Sequence, residues 1–226
     1  DLLIIMVSDD QAVRDVFTAE QGLLRTESTG KIIINMSTVS PSISQEMSAL
    51  CNAQGNSYLD APVSGSVKQA EESQLVIMAG GDQGAFKKAK PVLETLGKLV
   101  IYVGDIGAGN TAKLAVNTLL AFHAQGLAEA ITFAEKNGIK TNDLMTIINN
   151  SALGNVFGKT KGEAVINNNF QAAFALKHIA KDLRLAREEG LNTPLGEVVF
   201  NTFQKAEQTF GEEDIMAVIK QIKEGG

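Results

Sequence analysis

The run Gly107-Ala108-Gly109-Asn110-Thr111-Ala112-Lys113, followed by Asn117, carries the most pointed chemistry in the chain. Its glycines precede a helix N-terminus, where free backbone N–H groups attract an anion. Lys113 and Asn117 are spaced to share one helix face. A lysine in an otherwise apolar helix is costly unless it is paired or used, and burial would lower its pKa toward a range suited to proton transfer. A lysine snorkelling from the helix end accounts for the same residue. A second segment, Asp60-Ala61-Pro62-Val63-Ser64-Gly65-Ser66, offers two hydroxyls and consecutive N–H groups after a proline. That set suits a carboxylate or phosphate oxygen, and a surface turn reads the same way.

Two further segments hold reactive side chains. In Phe174-Ala175-Leu176-Lys177-His178-Ile179-Ala180-Lys181-Asp182, Lys177 and Lys181 share one helix face. His178 and Asp182 share another, and attract when the imidazole is protonated. A solvated, charged helix start is the alternative. Ser37-Thr38-Val39-Ser40-Pro41 follows a strand, and ligands of open α/β sheets bind beyond the carboxyl ends of strands. Helix capping by Ser40 or Ser42 is the plainer use of those hydroxyls.

The elements that must position these residues fall into two halves. Apolar runs at Leu2–Val7, Lys31–Met36, Tyr58–Leu59, Leu75–Ala79 and Leu99–Val103 predict strands. Between them, helices are expected from Asp9 or Asp10 to Phe17, from Ser42 or Ser44 to about Ala53, and from Asp82 to about Leu96. Strands buried on both faces and alternating with helices predict a parallel or mixed sheet. Beyond Gly104 the pattern is helical: a long helix from about Thr111 to Asn137, then Asn142–Asn150, Lys159–Asn167, Lys177–Glu189, Pro194–Gln208 and Glu212–Lys223. Apolar residues cover nearly every face of the long helix, which predicts burial all round. Gly126 in its middle is expected to let another helix approach closely. The expected domains are 1–106, α/β, and 107–226, all-helical.

Composition narrows the function. The 226 residues carry a net charge of −6, with 44% hydrophobic and 20% charged residues. The acidic balance argues against nucleic acid and against anionic membranes as partners. No apolar run approaches the roughly 20 residues of a membrane span, and no targeting segment stands at the start, which predicts a cytoplasmic protein. One cysteine, Cys51, and two distant histidines predict no disulfide and no metal site.

Taken together and in order, N-M-S-T-V-S-P, D-A-P-V-S-G, L-V-I-M-A-G-G-D, G-A-G-N-T-A-K-L-A-V-N and K-D-L-R-L-A resemble the β-hydroxyacid dehydrogenase family along the whole chain. The S-G-S ending at Ser66 and the F-A-L-K-H-I-A-K-D run from Phe174 look like its glyoxylate/succinic semialdehyde reductases and 4-hydroxybutyrate dehydrogenases. Ser73 stands where the family usually has glycine. The resemblance implies a Rossmann-type domain, a helical domain with one long central helix, and oligomerisation through the latter. It implies Lys113 as general acid and base, with Asn117 orienting the substrate or Lys113. Ser64, Gly65 and Ser66 would hold the substrate carboxylate, Phe174 would wall the pocket, and Asp182 would lie beside the site. Thr38 and Lys181 would lie against the cofactor, NADP or NAD. The implied substrate is a small carboxylate such as succinic semialdehyde or glyoxylate, with 3-hydroxyisobutyrate or tartronate semialdehyde chemistry as the alternative.

Family members carry a G-x-G-x-x-G turn between a first strand and helix, which cradles the cofactor pyrophosphate. None of these 226 residues forms one. By resemblance Asp1 falls inside the nucleotide-binding domain, with about 50–60 residues of a mononucleotide-binding half expected ahead of it. Cofactor binding by this chain is therefore expected to be weak or absent and the chain inactive alone. A dimerising scaffold without activity is the second reading.

Overall fold

The computed structural model describes residues 1–25 and 28–225. Two compact units divide it at Ala115/Val116. The first holds a mixed sheet. Strands β1 (Leu2–Ile5), β2 (Ile32–Asn35) and β3 (Ser57–Asp60) run parallel to one another. Strand β5 (Leu75–Gly81) joins β3 antiparallel through Leu59 and Asp60, and β6 (Gly97–Gly104) lies parallel to β5. The two-residue β4 (Val63–Ser64) pairs antiparallel with Val76 and Ile77 of β5.

The β-branched run Ile32-Ile33-Ile34 makes β2 a central strand with every residue buried. Helices α1 (Asp10–Thr18) and α2 (Pro41–Ala53) cover one core, where Phe17 packs at 5.8 Å from Tyr58. Helix α4 (Gln83–Leu93) contributes Ala85, Phe86, Ala89 and Leu93 to another. Both outer strands depart from the expected two-sided burial. Ile4 of β1 is exposed, as are Leu99, Ile101 and Val103 of β6, which alternate along the strand and so share one sheet face that is left open.

Several boundaries move for local reasons. Asp9 caps α1 through the N–H of Ala12. Helix α2 opens earlier than Ser42 or Ser44: Ser40 accepts from the N–H of Ile43, with Pro41 preset for the first turn. Helix α4 stops at Leu93, and β6 begins at Gly97, two residues before the expected Leu99. The short α3 (Val67–Glu71) and β4 were not expected; neither contains a fully buried residue to create a periodic signal. Ser73 sits at φ 53, the left-handed conformation that glycine adopts without strain, and pays about 1 kcal/mol for its Cβ.

The second unit is helical. Helix α5 (Ala108–Lys136) is continuous, its first turns belonging to the first unit. It is followed by α6 (Thr141–Asn149), α7 (Val156–Ile166), α8 (Leu176–Glu188) and α9 (Pro194–Phe210). The expected last helix divides: Asp214 caps a 3-10 turn over Ile215–Ala217, and α10 (Val218–Gly225) follows. Gly138 and Gly190 end α5 and α8 at φ 80 and φ 99, as helix-terminating glycines do. Ala121, Ala124, Ala128 and Ile131 of α5 join Leu176, Ile179, Leu183, Val199 and Phe203 in one core.

Helix α5 is not buried all round. Val116, Leu119 and Phe133 are exposed, Phe133 by 71%. Gly126 also lies on the open side, and among the described residues no atom stands within 4 Å of where its Cβ would be, so no second helix approaches it there. No helix among the described residues is long and apolar enough to cross a membrane. Nor do they hold a group of His, Cys, Asp or Glu that could bind a metal ion.

Candidate functional site

The carboxyl ends of β2 and β3 meet the start of α5 around one buried acid. Asp60 ends β3 and is fully buried. Its Oδ1 accepts from the N–H of Gly107 at 2.9 Å and its Oδ2 from the N–H of Asn110 at 2.8 Å. The anion expected at these glycines is thus the chain's own side chain. The glycine pattern follows from the close packing of chain around it. A Cβ on Gly109 would stand 2.5 Å from the carbonyl oxygens of Asp60 and Met78, and one on Gly80 would stand 2.6 Å from Asp60 Oδ1. Gly107 adopts φ 90. Burial pushes the Asp60 carboxyl up to about 6, against the N–H donors that favour the charged form.

Asn110, one turn before Lys113, extends this arrangement. Its Oδ1 accepts from the N–H of Val39 at 3.1 Å and its Nδ2 donates to Ser44 Oγ at 3.1 Å. The Ser37–Ser40 loop is tied elsewhere too. The N–H of Ser37 donates to Asn35 Oδ1, and Ser37 Oγ accepts from the N–H of Val7. Ser40 donates to Asp10 through its N–H at 2.9 Å and its hydroxyl at 2.6 Å. Asn35 donates to the Tyr58 hydroxyl at 2.8 Å, and burial holds that phenol in its neutral form. Thr38 is half-exposed between buried Ser37 and Val39. This placement lies beyond the carboxyl end of β2, where ligands of open α/β sheets bind.

Lys113 is 9% exposed on the same face of α5 as Asn110. Ser64 pairs with Val76 in the sheet, so it is not simply part of a surface turn. Gly65 takes φ 142 and is exposed, as is Ser66. Gln69 Oε1 accepts from both the N–H of Ser66 at 2.9 Å and its hydroxyl at 2.5 Å, forming a capping box at the start of α3. Those two donors therefore face an oxygen acceptor already.

In the second unit, Asn117 is buried and donates from Nδ2 to Asp182 Oδ2 at 2.5 Å. Asp182 is 3% exposed, and its Oδ1 lies 3.3 Å from Lys181 Nζ. Lys177 pairs instead with Glu212. His178 stacks on Phe174 at 5.9 Å between ring centroids, and its pKa is lowered by burial and then by Lys181 and Lys177. Burial and the two lysines outweigh the expected attraction of Asp182 for the His178 imidazolium. The Phe174 segment is itself anchored. Asp214 accepts from the N–H of Ala173 and from Lys161 Nζ at 2.7 Å, while the N–H of Ile215 donates to the carbonyl of Phe174. Nothing in the sequence singles out Lys161 or Asp214, since their pairing spans 53 residues and matches no helix period.

The Asp60 acid generates a pH prediction. With a folded pKa near 6 against an ordinary 3.8, the folded chain holds this proton more tightly than the unfolded one. Its contribution to stability is full below about pH 4 and is lost as the pH rises through 6. The slope is at most about 1.4 kcal/mol per pH unit. Denaturant unfolding across this window is expected to show that slope, and Asp60→Asn to flatten it. A slope that survives the substitution assigns it to another group.

Comparison with known proteins adds the family. Residues 1–104 match the model described as the NAD binding domain of 6-phosphogluconate dehydrogenase. Residues 107–222 match the NAD-binding domain of NADP-dependent 3-hydroxyisobutyrate dehydrogenase. Glyoxylate/succinic semialdehyde reductase 1 of Arabidopsis thaliana is 34% identical over 97% of this chain and 78% of its own length. The 2-hydroxy-3-oxopropionate reductase of Escherichia coli is 34% identical over 89% of this chain and 72% of its own. Among solved structures, the 3-hydroxyisobutyrate dehydrogenase of Mycobacterium tuberculosis superposes with a TM-score of 0.87 at 32% identity, covering 98% of this chain and 79% of that one. With a Rossmann-type unit, a helical unit and relatives this similar along nearly all its length, the chain belongs to the β-hydroxyacid dehydrogenase family.

Proposed function

We propose that this chain serves the NAD(P)-dependent reduction of a small semialdehyde or 2-oxo acid, such as succinic semialdehyde or glyoxylate, with Lys113 as the general acid. The observation that carries the reading is a lysine only 9% exposed, on the same helix as a buried asparagine held by a buried aspartate. A bound nicotinamide cofactor would supply the hydride. As the carbonyl carbon is reduced, its oxygen gains negative charge. The Lys113 ammonium stabilises that charge and transfers a proton to the oxygen, giving the alcohol and a neutral amine. In the reverse direction the neutral amine takes the proton back. Asn117 commits an amide N–H to Asp182, so its carbonyl oxygen is available to orient the Lys113 ammonium or the substrate hydroxyl. Asp182 acts through Asn117 in this reading. Ser64, Gly65 and Ser66 bind the substrate carboxylate, with Gln69 giving way. Phe174 walls the pocket, and Thr38 and Lys181 contact the cofactor.

In the holoenzyme, Lys113→Ala is expected to lower kcat by about 10²–10⁴-fold while cofactor affinity shifts less than about threefold. Steady-state rates with succinic semialdehyde, glyoxylate and methylmalonate semialdehyde, run side by side, check this and rank the substrates. Fastest turnover of methylmalonate semialdehyde favours the 3-hydroxyisobutyrate alternative. Turnover unchanged by the substitution removes Lys113 from the reaction.

The second reading, a scaffold without its own activity, is supported by the apolar side chains that α5 leaves exposed. Titration of NADPH and NADH into the 226-residue chain, followed by cofactor fluorescence, is expected to give weak binding or none; micromolar binding defeats the scaffold reading. In both readings the exposed Val116, Leu119 and Phe133 pack against another copy of the chain. Phe133→Glu is then expected to shift sedimentation toward monomer. A wild-type chain that sediments as a monomer refutes the oligomer.

A further inference from the structure

We propose that Asn110 is a positioning residue for this reaction: it fixes Thr38 relative to Lys113. The inference rests on the site reading above and adds a residue to it. Asn110 is fully buried and uses three groups at once. Its backbone N–H donates to Asp60 Oδ2 at 2.8 Å, its Oδ1 accepts from the N–H of Val39 at 3.1 Å, and its Nδ2 donates to Ser44 Oγ at 3.1 Å. The contact with Val39 bridges 71 residues of sequence.

The placement gives this contact its use. Thr38 has Ser37 on one side, tied by its N–H to Asn35, and Val39 on the other, tied by its N–H to Asn110. Lys113 lies one helical turn beyond Asn110 on the same face, about 4.5 Å along the axis of a rigid element. One side chain therefore joins the loop bearing Thr38 to the helical turn that bears Lys113. A buried amide with both ends hydrogen-bonded has no alternative partners, and removing it strands a buried N–H at Val39. Proton transfer at Lys113 and cofactor contact at Thr38 must serve the same substrate carbon and oxygen. Misplacement by about 1 Å between such groups costs on the order of 10²-fold in rate. Ser44 meets the other end of the amide, so Ser44→Ala removes that contact and leaves the Val39 contact in place.

The test pairs hydrogen exchange with kinetics. Amide exchange at Val39, measured by NMR on the 226-residue chain, is expected to accelerate at least about tenfold in Asn110→Ala and to stay near wild type in Ser44→Ala. In the holoenzyme, kcat for succinic semialdehyde is expected to fall about 10–100-fold in Asn110→Ala, with KM changed less than about threefold. Ser44→Ala is expected to keep kcat within about threefold. If Asn110→Ala does not fold, Asn110→Ser, whose hydroxyl is too short to reach Val39, takes its place with the same expectations. Val39 exchange unchanged, or kcat unchanged despite faster exchange, overturns the proposal. An equal kcat loss in Ser44→Ala also overturns it, because a general loosening of the core then explains the effect. Lys113→Ala run alongside separates the two failures. If it keeps turnover, the site reading fails; if it loses turnover while the Asn110 variant keeps it, the positioning role alone fails.

Discussion

Asp60 places a carboxylate, fully buried, at the point where β3 ends and α5 begins. Taking such a group out of water is expensive, and the loss is offset only if fixed donors meet it. Here the donors are the N–H groups of Gly107 and Asn110 at the positive end of a helix of 29 residues. Desolvation still prevails over them, which is why the acid is weakened rather than strengthened. The arrangement nonetheless fixes the first turn of α5 in place, and with it the turn that bears Lys113.

The remaining polar groups in this unit build outward from that contact. Asn110 reaches Val39 and Ser44, Asn35 reaches Tyr58 and Ser37, and Ser40 reaches Asp10. A buried network of this kind is favourable when its members are satisfied and selects one loop conformation from many. The helical unit uses the same device twice. Asp182 holds Asn117, and Asp214 holds Lys161 together with the backbone before α8. In each case a carboxylate with little solvent exposure holds a partner from a distant part of the chain.

The sequence makes most of the elements legible, because β-branched runs such as Ile32-Ile33-Ile34 and caps such as Asp9 and Asp82 act over a few residues. What it hides depends on distance. Asp60 meets its donors 47 and 50 residues away, so no local pattern distinguishes it from a turn aspartate. The glycines of G-A-G-N therefore look like a site for an external anion, when they surround an internal one. The open side of α5 is hidden for a different reason. Apolar composition at Val116, Leu119 and Phe133 reports that water is unfavourable there, not which surface replaces it. The four reactive segments were readable as candidates because each follows a strand or opens a helix, but their internal couplings were not.

The close approach of Gly80 and Gly109 to Asp60 separates two kinds of signature in this chain. Those glycines are dictated by close packing: the Asp60 carboxyl stands against Gly80, and the carbonyl oxygens of Asp60 and Met78 stand against Gly109. A descendant that abandoned chemistry altogether would still be obliged to keep them for as long as it kept this packing, whereas Lys113 would be free to drift. Glycines at these positions thus diagnose ancestry and architecture, and the residue one turn further along the helix is where an active lineage and a retired one would part.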